Sequence, residues 1–339
     1  MKQNRALSFL LLVMCGLMAC NESFNPDGPY DRKLVVYAVL SNQNDTQYVR
    51  VYASYPPMSN PSYAQTDDQV TDAQVTIARG GTIYQFHDTT VTRSSPSRYL
   101  TPVYLHVAYG FPIAQATRYS LTVNSPTWGK ASASIVSLYR GGMYVSNTTG
   151  LTNPRPSAVV SVRVAPGFNC AAYIVRMFFD YEVHDAGQQS AGRVEVPLAL
   201  QAGSSGPDAY IYPAPILRGH GSVTDTPGEE VVIFSSEVSR RAADDLRARY
   251  PGDTVRFSDA ILYLTQMDSV LYSYYNVING FPGSGALRLD EPDYSNIRGG
   301  LGIFASTTVD SVILPISIPS NRPAASSAAH AQDLLDPRK

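Results

Sequence analysis

The stretch Tyr119-Ser120-Leu121-Thr122-Val123 decides the fold class, because its apolar and polar residues alternate one by one. Successive side chains of a β-strand point to opposite faces of a sheet, so this alternation predicts a strand with one buried face and one solvated face. The same period recurs in Gln74-Val75-Thr76-Ile77. The two stretches together favour an antiparallel sheet whose outer face is wet.

Short runs of β-branched and aromatic residues continue on both sides of this stretch, separated by Gly, Pro, Asn and Asp. The runs predicted as strands are Leu34 to Leu40, Tyr48 to Tyr55, Ala73 to Ala78, Thr82 to His87, Tyr99 to His106, Arg118 to Val123 and Ala131 to Leu138. Many short strands with turn signals between them are typical of a sandwich. We therefore predict an immunoglobulin-like or prealbumin-like β-sandwich over residues 34–140.

A second β-rich domain is predicted over residues 157–318, because the chain is longer than one ordinary core usually holds. Gly141-Gly142 and the turn-forming stretch Asn147 to Pro156 separate the two regions. The predicted strands are Ala158 to Val164, Ala171 to Val183, in which Tyr173, Val175, Met177, Phe179 and Tyr181 share one side, and Arg193 to Leu200. Two short helices are expected, near residues 236–249 and 268–279, the second capped by Asp268.

The first twenty residues predict where the protein works. Lys2 and Arg5 precede an apolar run, and Ala19 stands just before Cys20. This pattern is typical of a removable bacterial lipoprotein signal, so we expect residues 1–19 to be cleaved between Ala19 and Cys20 and Cys20 to carry the lipid. Two or more acyl chains anchor a protein stably to a membrane. An ordinary signal peptide is the alternative.

The rest of the chain has no run long and apolar enough to cross a bilayer, so the lipid on Cys20 is the predicted attachment. Residues 20–33 are polar and turn-rich, which favours a flexible spacer. Residues 319–339, rich in Ala, Ser and Pro, are predicted to be disordered. Behind Cys20 the chain keeps 24 basic against 28 acidic residues and no basic cluster, which argues against a nucleic-acid partner.

Enzymatic chemistry finds little support in the motifs. Gly300-Leu301-Gly302-Ile303-Phe304-Ala305 loosely resembles a dinucleotide fingerprint, but the residues after it are predicted to form a strand and not a helix, which favours structural glycines. Cys170, at the head of an apolar strand, is predicted to be a small buried hydrophobe. His87-Asp88 and His184-Asp185 could each orient an imidazole in a triad completed only by the fold.

The five histidines lack the spacing of a zinc site, and the acidic pairs lack that of a calcium loop. We therefore expect no catalytic residue, no metal and no cofactor. Tyrosine is abundant, with 23 residues, and Tyr272, Tyr274 and Tyr275 cluster on the second predicted helix. Such rings can stack on sugars or anchor an interface, so these three are candidate ligand-binding residues. Packing of half-buried strands and helices is the stronger interpretation of the tyrosine content.

Several motifs, in order, resemble one known family. They are the lipoprotein signal, Asp31-Arg32-Lys33-Leu34-Val35-Val36-Tyr37, Asp72-Ala73-Gln74-Val75-Thr76-Ile77, Tyr119 to Val123, Tyr272 to Asn276, Glu291-Pro292 and Asn296 to Ala305. In this order they resemble the Bacteroidota lipoproteins of the domain of unknown function 4249 family. The resemblance implies an outer-membrane lipoprotein that faces outward and is often encoded beside a TonB-dependent transporter. It also implies that Glu22 and Asp27 belong to a surface-export signal, and it supplies no catalytic residue.

The sequence therefore leads to three hypotheses. The first is a non-enzymatic accessory on the cell surface that binds a nutrient or a partner for a TonB-dependent transporter, its ligand a small molecule, peptide or glycan. The second is a surface-tethered hydrolase whose site is assembled in space. The third is a purely structural envelope lipoprotein.

Overall fold

A computed structural model describes residues 32–54, 69–93, 101–153, 155, 157–185, 188–202, 208–218, 230–279 and 294–318. The predicted signal peptide, Ala19 and Cys20, nearly all of the spacer and the predicted disordered tail lie outside the described residues. Statements about the fold below concern the described ranges.

The chain is built mainly of strands, as the alternating patterns predict. The strands are β1 (Leu34–Ser41), β2 (Gln47–Ala53), β3 (Gln74–Arg79), β4 (Thr82–Gln85), β5 (His87–Val91), β6 (Val103–Ala108), β7 (Arg118–Ser125), β8 (Gly129–Val136), β9 (Gly142–Asn147), β10 (Val159–Ala165), β11 (Ala172–Asp185), β12 (Gln188–Val196), β13 (Ala199–Gln201), β14 (Ala209–Ile211), β15 (Ile216–Leu217), β16 (Glu230–Ser235), β17 (Thr254–Met267) and β18 (Gly300–Pro315). The helices are α1 (Thr149–Thr152), α2 (Ser236–Ala248) and α3 (Ser269–Asn279).

One large sheet runs through both halves of the chain. This sheet, called sheet A, has the strand order β12-β11-β17-β18-β1-β2-β6-β5, with β15 added beside β11. Sheet B has the order β4-β3-β7-β8, and sheet C the order β16-β10-β9. The strands β13 and β14 form a separate hairpin.

Sheets B and C pack on the same face of sheet A and enclose two hydrophobic cores. The first core joins alternate residues of β1 and β2, such as Val36 and Val51, to Leu121 and its neighbours in sheet B. The second joins Val175 and its neighbours on β11 to β10 and β16 of sheet C. Burial of these apolar faces supplies the main favourable free energy of folding. The mainly β, sandwich-like fold predicted from the sequence is thereby confirmed.

A strand from the end of the chain completes the sheet of the first core. β18 pairs with β1 in parallel, from Leu34 opposite Gly300 to Ser41 opposite Thr307. On its other edge β18 pairs with β17 in antiparallel fashion. The segment predicted as a boundary contains β9 and α1, and β9 pairs with β10. The division into two domains stays a prediction, and one hydrogen-bonded sheet joins the two regions.

Gly300 and Gly302 are structural glycines within β18. This agrees with the sequence, in which the residues after them are predicted to form a strand and not a helix. Gly302 has a φ of +101°, and a Cβ there would lie 2.1 Å from the carbonyl oxygen of Val36. A Cβ on Gly300 would lie 2.6 Å from the carbonyl oxygen of Leu34. The close parallel approach of β1 and β18 therefore requires residues without a side chain at these two positions.

Two helices stand where the sequence predicts them. α2 begins after Ser235, whose hydroxyl accepts a hydrogen bond from the backbone N–H of Glu237, and its apolar face packs through Leu246 against Val183 and Val255. α3 follows Asp268 and packs against β18 and β17 on the face of sheet A that points away from sheets B and C. This contact buries Ile303 and Ala305. The single turn of α1 was not predicted.

Candidate functional site

The three candidate tyrosines lie on α3, and the structure packs one of them against sheet A. The ring of Tyr274 lies 5.4 Å from that of Tyr37, which stacks on Tyr52 at 5.7 Å. The guanidinium of Arg50 lies 5.1 Å from the centre of the Tyr52 ring. Tyr275 is 37% exposed and Tyr272 is half-buried.

The burial of these tyrosine rings determines whether they can bind a ligand. Burial and a hydrogen bond with Tyr37 raise the pKa of Tyr52 above its ordinary value, and the same two causes raise the pKa of Tyr274. Rings held in this way between a helix and a sheet offer little open face for a sugar. The arrangement favours the packing interpretation for Tyr274 and leaves Tyr275 as the most exposed of the three candidates.

Asp268 fastens α3 to the sheet. Its carboxylate accepts hydrogen bonds from the backbone N–H of Leu271 at 2.8 Å and from the backbone N–H of Ser306 at 2.6 Å. The Ser306 hydroxyl donates to the same carboxylate at 3.1 Å. Burial raises the pKa of Asp268, and these donors lower it in part. The predicted cap is confirmed. The same carboxylate also connects α3 to β18.

The structure gives the histidine–aspartate pairs different partners from those expected for a triad. Asp88 lies opposite His106, not beside His87, and its Oδ1 is 2.9 Å from His106 Nδ1. His184 Nε2 lies 3.4 Å from a carboxylate oxygen of Glu182. Neither contact therefore joins a histidine to the aspartate that follows it in the sequence.

His106 is a completely buried imidazole on the inner face of sheet A. Its ring makes an edge contact with Tyr104, 5.5 Å between centroids. Burial lowers the pKa of His106, and the nearby Asp88 offsets this only in part. Burial, with a hydrogen bond to Asp88, raises the pKa of Tyr104 to about 12. A neutral imidazole is therefore the stable form within the fold.

Among the described residues, no group of three His, Cys, Asp or Glu side chains is placed to hold a metal ion. Cys170 is buried, as predicted, and burial raises the pKa of its thiol to about 11, so the unreactive thiol form dominates. Within the same ranges, every helix is too short or too polar to span a bilayer.

Amide side chains tie together several loops near Thr307, in the middle of β18. Gln47 accepts from the backbone N–H of Ser41 at 3.0 Å and donates to the carbonyl oxygens of Ser41 at 2.9 Å and Asn44 at 3.1 Å. It also reaches the carbonyl oxygen of Phe111 at 3.5 Å. One side chain therefore holds the β1–β2 turn against the loop that follows β6.

Two further amides act in the same way near the middle of β18. Asn42 accepts from the backbone N–H of Val309 at 2.7 Å and donates to its carbonyl oxygen at 3.3 Å. Gln266, fully buried in β17, accepts from the backbone N–H of Gly167 at 2.6 Å and donates to the Thr308 hydroxyl at 3.0 Å. Each amide joins segments that are distant in sequence.

The turn around Phe168 is the most firmly held of these loops. The Arg218 guanidinium donates to the carbonyl oxygens of Gly167 and Phe168, both at 2.7 Å. Asn169 accepts from the backbone N–H of Tyr139 at 2.8 Å and donates to the carbonyl oxygen of Ser137 at 3.0 Å. These bonds fix the backbone on both sides of an aromatic residue that points into solvent.

Three exposed aromatic side chains project from the loops tied in this way. Tyr109 and Phe168 are each 71% exposed, and Tyr139 is 48% exposed. We call these loops the aromatic loop cluster, formed by residues 42–46, 109–117, 137–141 and 166–171. Sequence reasoning missed it, because single aromatic residues in separate loops show no periodicity. The dipeptide Gly-Phe at Gly167 and Phe168 is at most a weak turn signal.

The second candidate surface for binding is the open face of sheet A, beyond α3. Arg176 pairs with both carboxylate oxygens of Glu195, and Arg193 pairs in the same way with Asp180. Ile313, 65% exposed, lies on the same face. Arg176 and Arg193 therefore each already have a carboxylate partner within the chain.

Comparison with known proteins gives one family match. Residues 21–138 match the model of the family described as domain of unknown function 4249, so this part of the chain is similar to that family. No curated protein matches the chain.

Two solved structures show distant similarity. Trypsin-activated alpha-2-macroglobulin from Escherichia coli has 7% identity and a TM-score of 0.19, with 71% of this chain and 15% of that chain covered. The C-terminal globular domain of an oligosaccharyltransferase from Pyrococcus abyssi has 11% identity and a TM-score of 0.20, with 67% and 45% covered. The chain spans less than half the length of either structure.

Proposed function

We propose that this protein is a lipid-anchored lipoprotein on the outward face of the bacterial outer membrane. In this proposal it serves a TonB-dependent transporter as a non-enzymatic accessory in nutrient uptake. The lipid is attached to Cys20. The similarity of residues 21–138 to the domain of unknown function 4249 family supports the proposal, because the match begins at the residue that follows Cys20.

The aromatic loop cluster is the observation that carries the accessory role. Aromatic residues are enriched in protein interfaces, and a side chain that is already held in place loses less entropy on binding. Tyr109, Tyr139 and Phe168 are exposed, and they stand on loops whose backbone is held by amide side chains. A protein that acts by contact needs such a surface and no catalytic group.

Membrane attachment is tested with Cys20→Ala, because loss of the acyl chains removes the predicted anchor. We expect the wild-type protein in the outer-membrane fraction and the variant in the soluble fraction, with Cys170→Ala as the matched control that stays attached. Firm membrane binding of Cys20→Ala would contradict the lipid anchor.

The transporter link is tested by purification of the tagged, full-length protein from outer membranes in mild detergent. A TonB-dependent transporter should co-purify with it in near-stoichiometric amount. Recovery of the protein alone would overturn this part of the proposal. If instead a hydrolytic activity is found and is lost in His87→Ala or His184→Ala, the protein is a surface-tethered hydrolase. If it has neither a partner nor an activity, a structural role in the envelope replaces the proposal.

A further inference from the structure

We infer that β5 and β6 form an acid-sensitive unit of sheet A, which we call the edge ribbon (His87–Val91 and Val103–Ala108). Protonation of one buried side chain, His106, releases this ribbon from β2 while the rest of the fold stays closed. The inference concerns a local motion of the protein, and it holds independently of the proposed function.

The edge ribbon is joined to the rest of sheet A over a short distance. β5 pairs with β6 along its whole length, over five residues. β6 pairs with β2 over only three residues, which are His106, Val107 and Ala108. Within the described ranges, β5 is the last strand of sheet A and has no neighbour on its other side. The attachment of the ribbon to the sheet therefore depends on the last three residues of β6.

Burial follows the same division. The last three residues of β6 are buried, whereas the first three are half-buried and every residue of β5 is exposed or half-buried. Phe86, just before β5, and Ala108, at the end of β6, pack in the first hydrophobic core and fix the ribbon at this end. Segments with few buried apolar contacts open at the lowest cost in free energy. The rest of the ribbon is thus suited to local opening.

Beyond its buried end, the ribbon contacts residues 69–71 through polar groups. The amide of Gln69 donates to the carbonyl oxygen of Pro102 at 2.7 Å, and the hydroxyl of Tyr104 donates to the carbonyl oxygen of Thr71 at 3.4 Å. Both hydrogen bonds are exposed, so water can replace them at small net cost. These contacts position the ribbon without preventing its release.

His106 lies at the join between the ribbon and β2, where it is closed off from water. Its side chain is completely buried, and the residues that pair with it are Val49 on β2 and Asp88 on β5. Nδ1 lies 2.9 Å from Asp88 Oδ1, and Nε2 has no hydrogen-bond partner among the described residues. Both ring nitrogens of an imidazolium are donors. A proton on this ring therefore leaves a buried donor unsatisfied as long as the ribbon is closed.

Charged and titratable groups on the other elements near this join have partners elsewhere. On β2, the guanidinium of Arg50 lies over an aromatic ring of the same strand. Before β3, the carboxylate of Asp72 accepts a hydrogen bond from a serine hydroxyl of β7 at 2.7 Å. On β7, the hydroxyl of Tyr119 accepts from a backbone N–H of the preceding loop at 2.8 Å. Asp88 is thus the charged group that acts on His106 within the described part of the chain.

Acid favours the open ribbon. In the open form the imidazole reaches water and binds a proton with the ordinary pKa of histidine, about 6.5. In the closed form burial lowers the pKa of His106, and Asp88 offsets this only in part. The proton therefore binds more tightly to the open form, and the open fraction rises as the pH falls below about 6.5.

Hydrogen exchange of the full-length protein, followed by mass spectrometry, tests the proposal. Exchange rates at pH 7.5 and pH 5 are each divided by the rate of the unprotected amide at that pH, which gives a protection factor. We expect protection of residues 87–91 and 103–105 to fall at least about fivefold at pH 5, where a group of pKa about 6.5 can favour the open form by up to about thirtyfold. At pH 5 these residues should be at least about tenfold less protected than β7 and β8, because a local opening exposes only the ribbon.

Variants assign the effect to His106. His106→Gln should remove the dependence of ribbon protection on pH. Asp88→Asn should increase it, because the closed form loses the carboxylate that favours the imidazolium. His87→Asn is the matched control, since this histidine is exposed on the same ribbon, and it should behave like the wild type. Thermal unfolding at pH 7.5 shows which variants fold, and the wild-type comparison of the ribbon with β7 and β8 needs no variant.

Three results would each overturn the proposal. The first is a ribbon whose protection is equal at the two pH values. The second is equal protection of the ribbon and of β7 and β8 at pH 5, because the whole fold then opens in one step. The third is an acid effect on the ribbon that persists in folded His106→Gln, which assigns the motion to another group.

Discussion

Gly302 and Val36 lie closer together than any residue with a side chain would permit. A Cβ on Gly302 would meet the carbonyl oxygen of Val36 at 2.1 Å, and the glycine holds a φ of +101°. The contact lies in the middle of the parallel pairing of β1 and β18, where both strands are inside sheet A. The junction between the first and last strands of the fold therefore depends on Gly302, together with Gly300.

Replacement of that glycine should destabilise the whole fold. We expect Gly302→Ala to lower the free energy of unfolding by about 3 kcal/mol or more, because it adds backbone strain and forces β1 and β18 apart. Urea unfolding followed by fluorescence measures the change. Gly142→Ala is the matched control, since nothing lies within 4 Å of a Cβ there, and its effect should stay within about 0.5 kcal/mol. Equal effects of the two would contradict the close approach.

His106 makes the stability of the protein dependent on pH. Burial lowers its pKa in the folded state, so the unfolded chain binds the proton more tightly. The free energy of unfolding should therefore fall as the pH drops below about 6.5, the ordinary pKa of histidine. Thermal unfolding between pH 7.5 and pH 5 tests this.

Variants at this site separate the contribution of His106 from that of other groups. His106→Gln should make the free energy of unfolding less dependent on pH in this range. Asp88→Asn should make it more dependent on pH, because the carboxylate that favours the imidazolium of His106 is lost. His87→Asn, at an exposed position on the neighbouring strand, is the control and should leave the slope unchanged. A slope that survives in His106→Gln would assign the effect to another residue.

Asp268 should matter more than an ordinary helix cap. Its replacement by alanine leaves the backbone N–H groups of Leu271 and Ser306 without their acceptor, and the second is buried. We expect Asp268→Ala to cost about 2–4 kcal/mol, the sum of a lost cap and an unsatisfied buried donor. Asp268→Asn keeps one acceptor oxygen and should cost less. Chemical unfolding gives the values, and a cost below about 1 kcal/mol would show that α3 is held mainly by its apolar contacts.

Gln266 should control the order of the Phe168 turn. In Gln266→Leu the backbone N–H of Gly167 loses its acceptor, and we expect a loss of about 1–3 kcal/mol. Hydrogen exchange should become faster in residues 166–171 before it changes in β7 and β8. Gln189→Leu, on the exposed edge strand β12, is the control and should alter neither quantity. Unchanged exchange of the turn would mean that Arg218 and Asn169 suffice to hold it.

Local features of the fold could be predicted from the sequence. Alternation in Tyr119 to Val123 and in Gln74 to Ile77 placed β7 and β3, since the two-residue period depends only on neighbouring residues. The cap at Asp268 was also predicted, because a cap needs only the residues of the first helical turn.

Contacts between distant residues could not be predicted in this way. The pairing of β1 with β18 joins Leu34 to Gly300, and no short pattern encodes such a register. Asp88 follows His87 in the sequence, but strand pairing brings its carboxylate to His106 on the adjacent strand. Tyr109 and Phe168 are candidates only because Gln47 and Gln266, which are remote in sequence, hold the loops that carry them.

The position of β18 has a consequence for the biogenesis of the protein. β1 leaves the ribosome early, yet its parallel neighbour is 267 residues away at the level of Asn42 and Val309. During synthesis, β1 therefore has one row of backbone groups unpaired until nearly all of the polypeptide has emerged, a state prone to misassociation. A chain that stops before Gly300 leaves this interior strand permanently without its parallel partner.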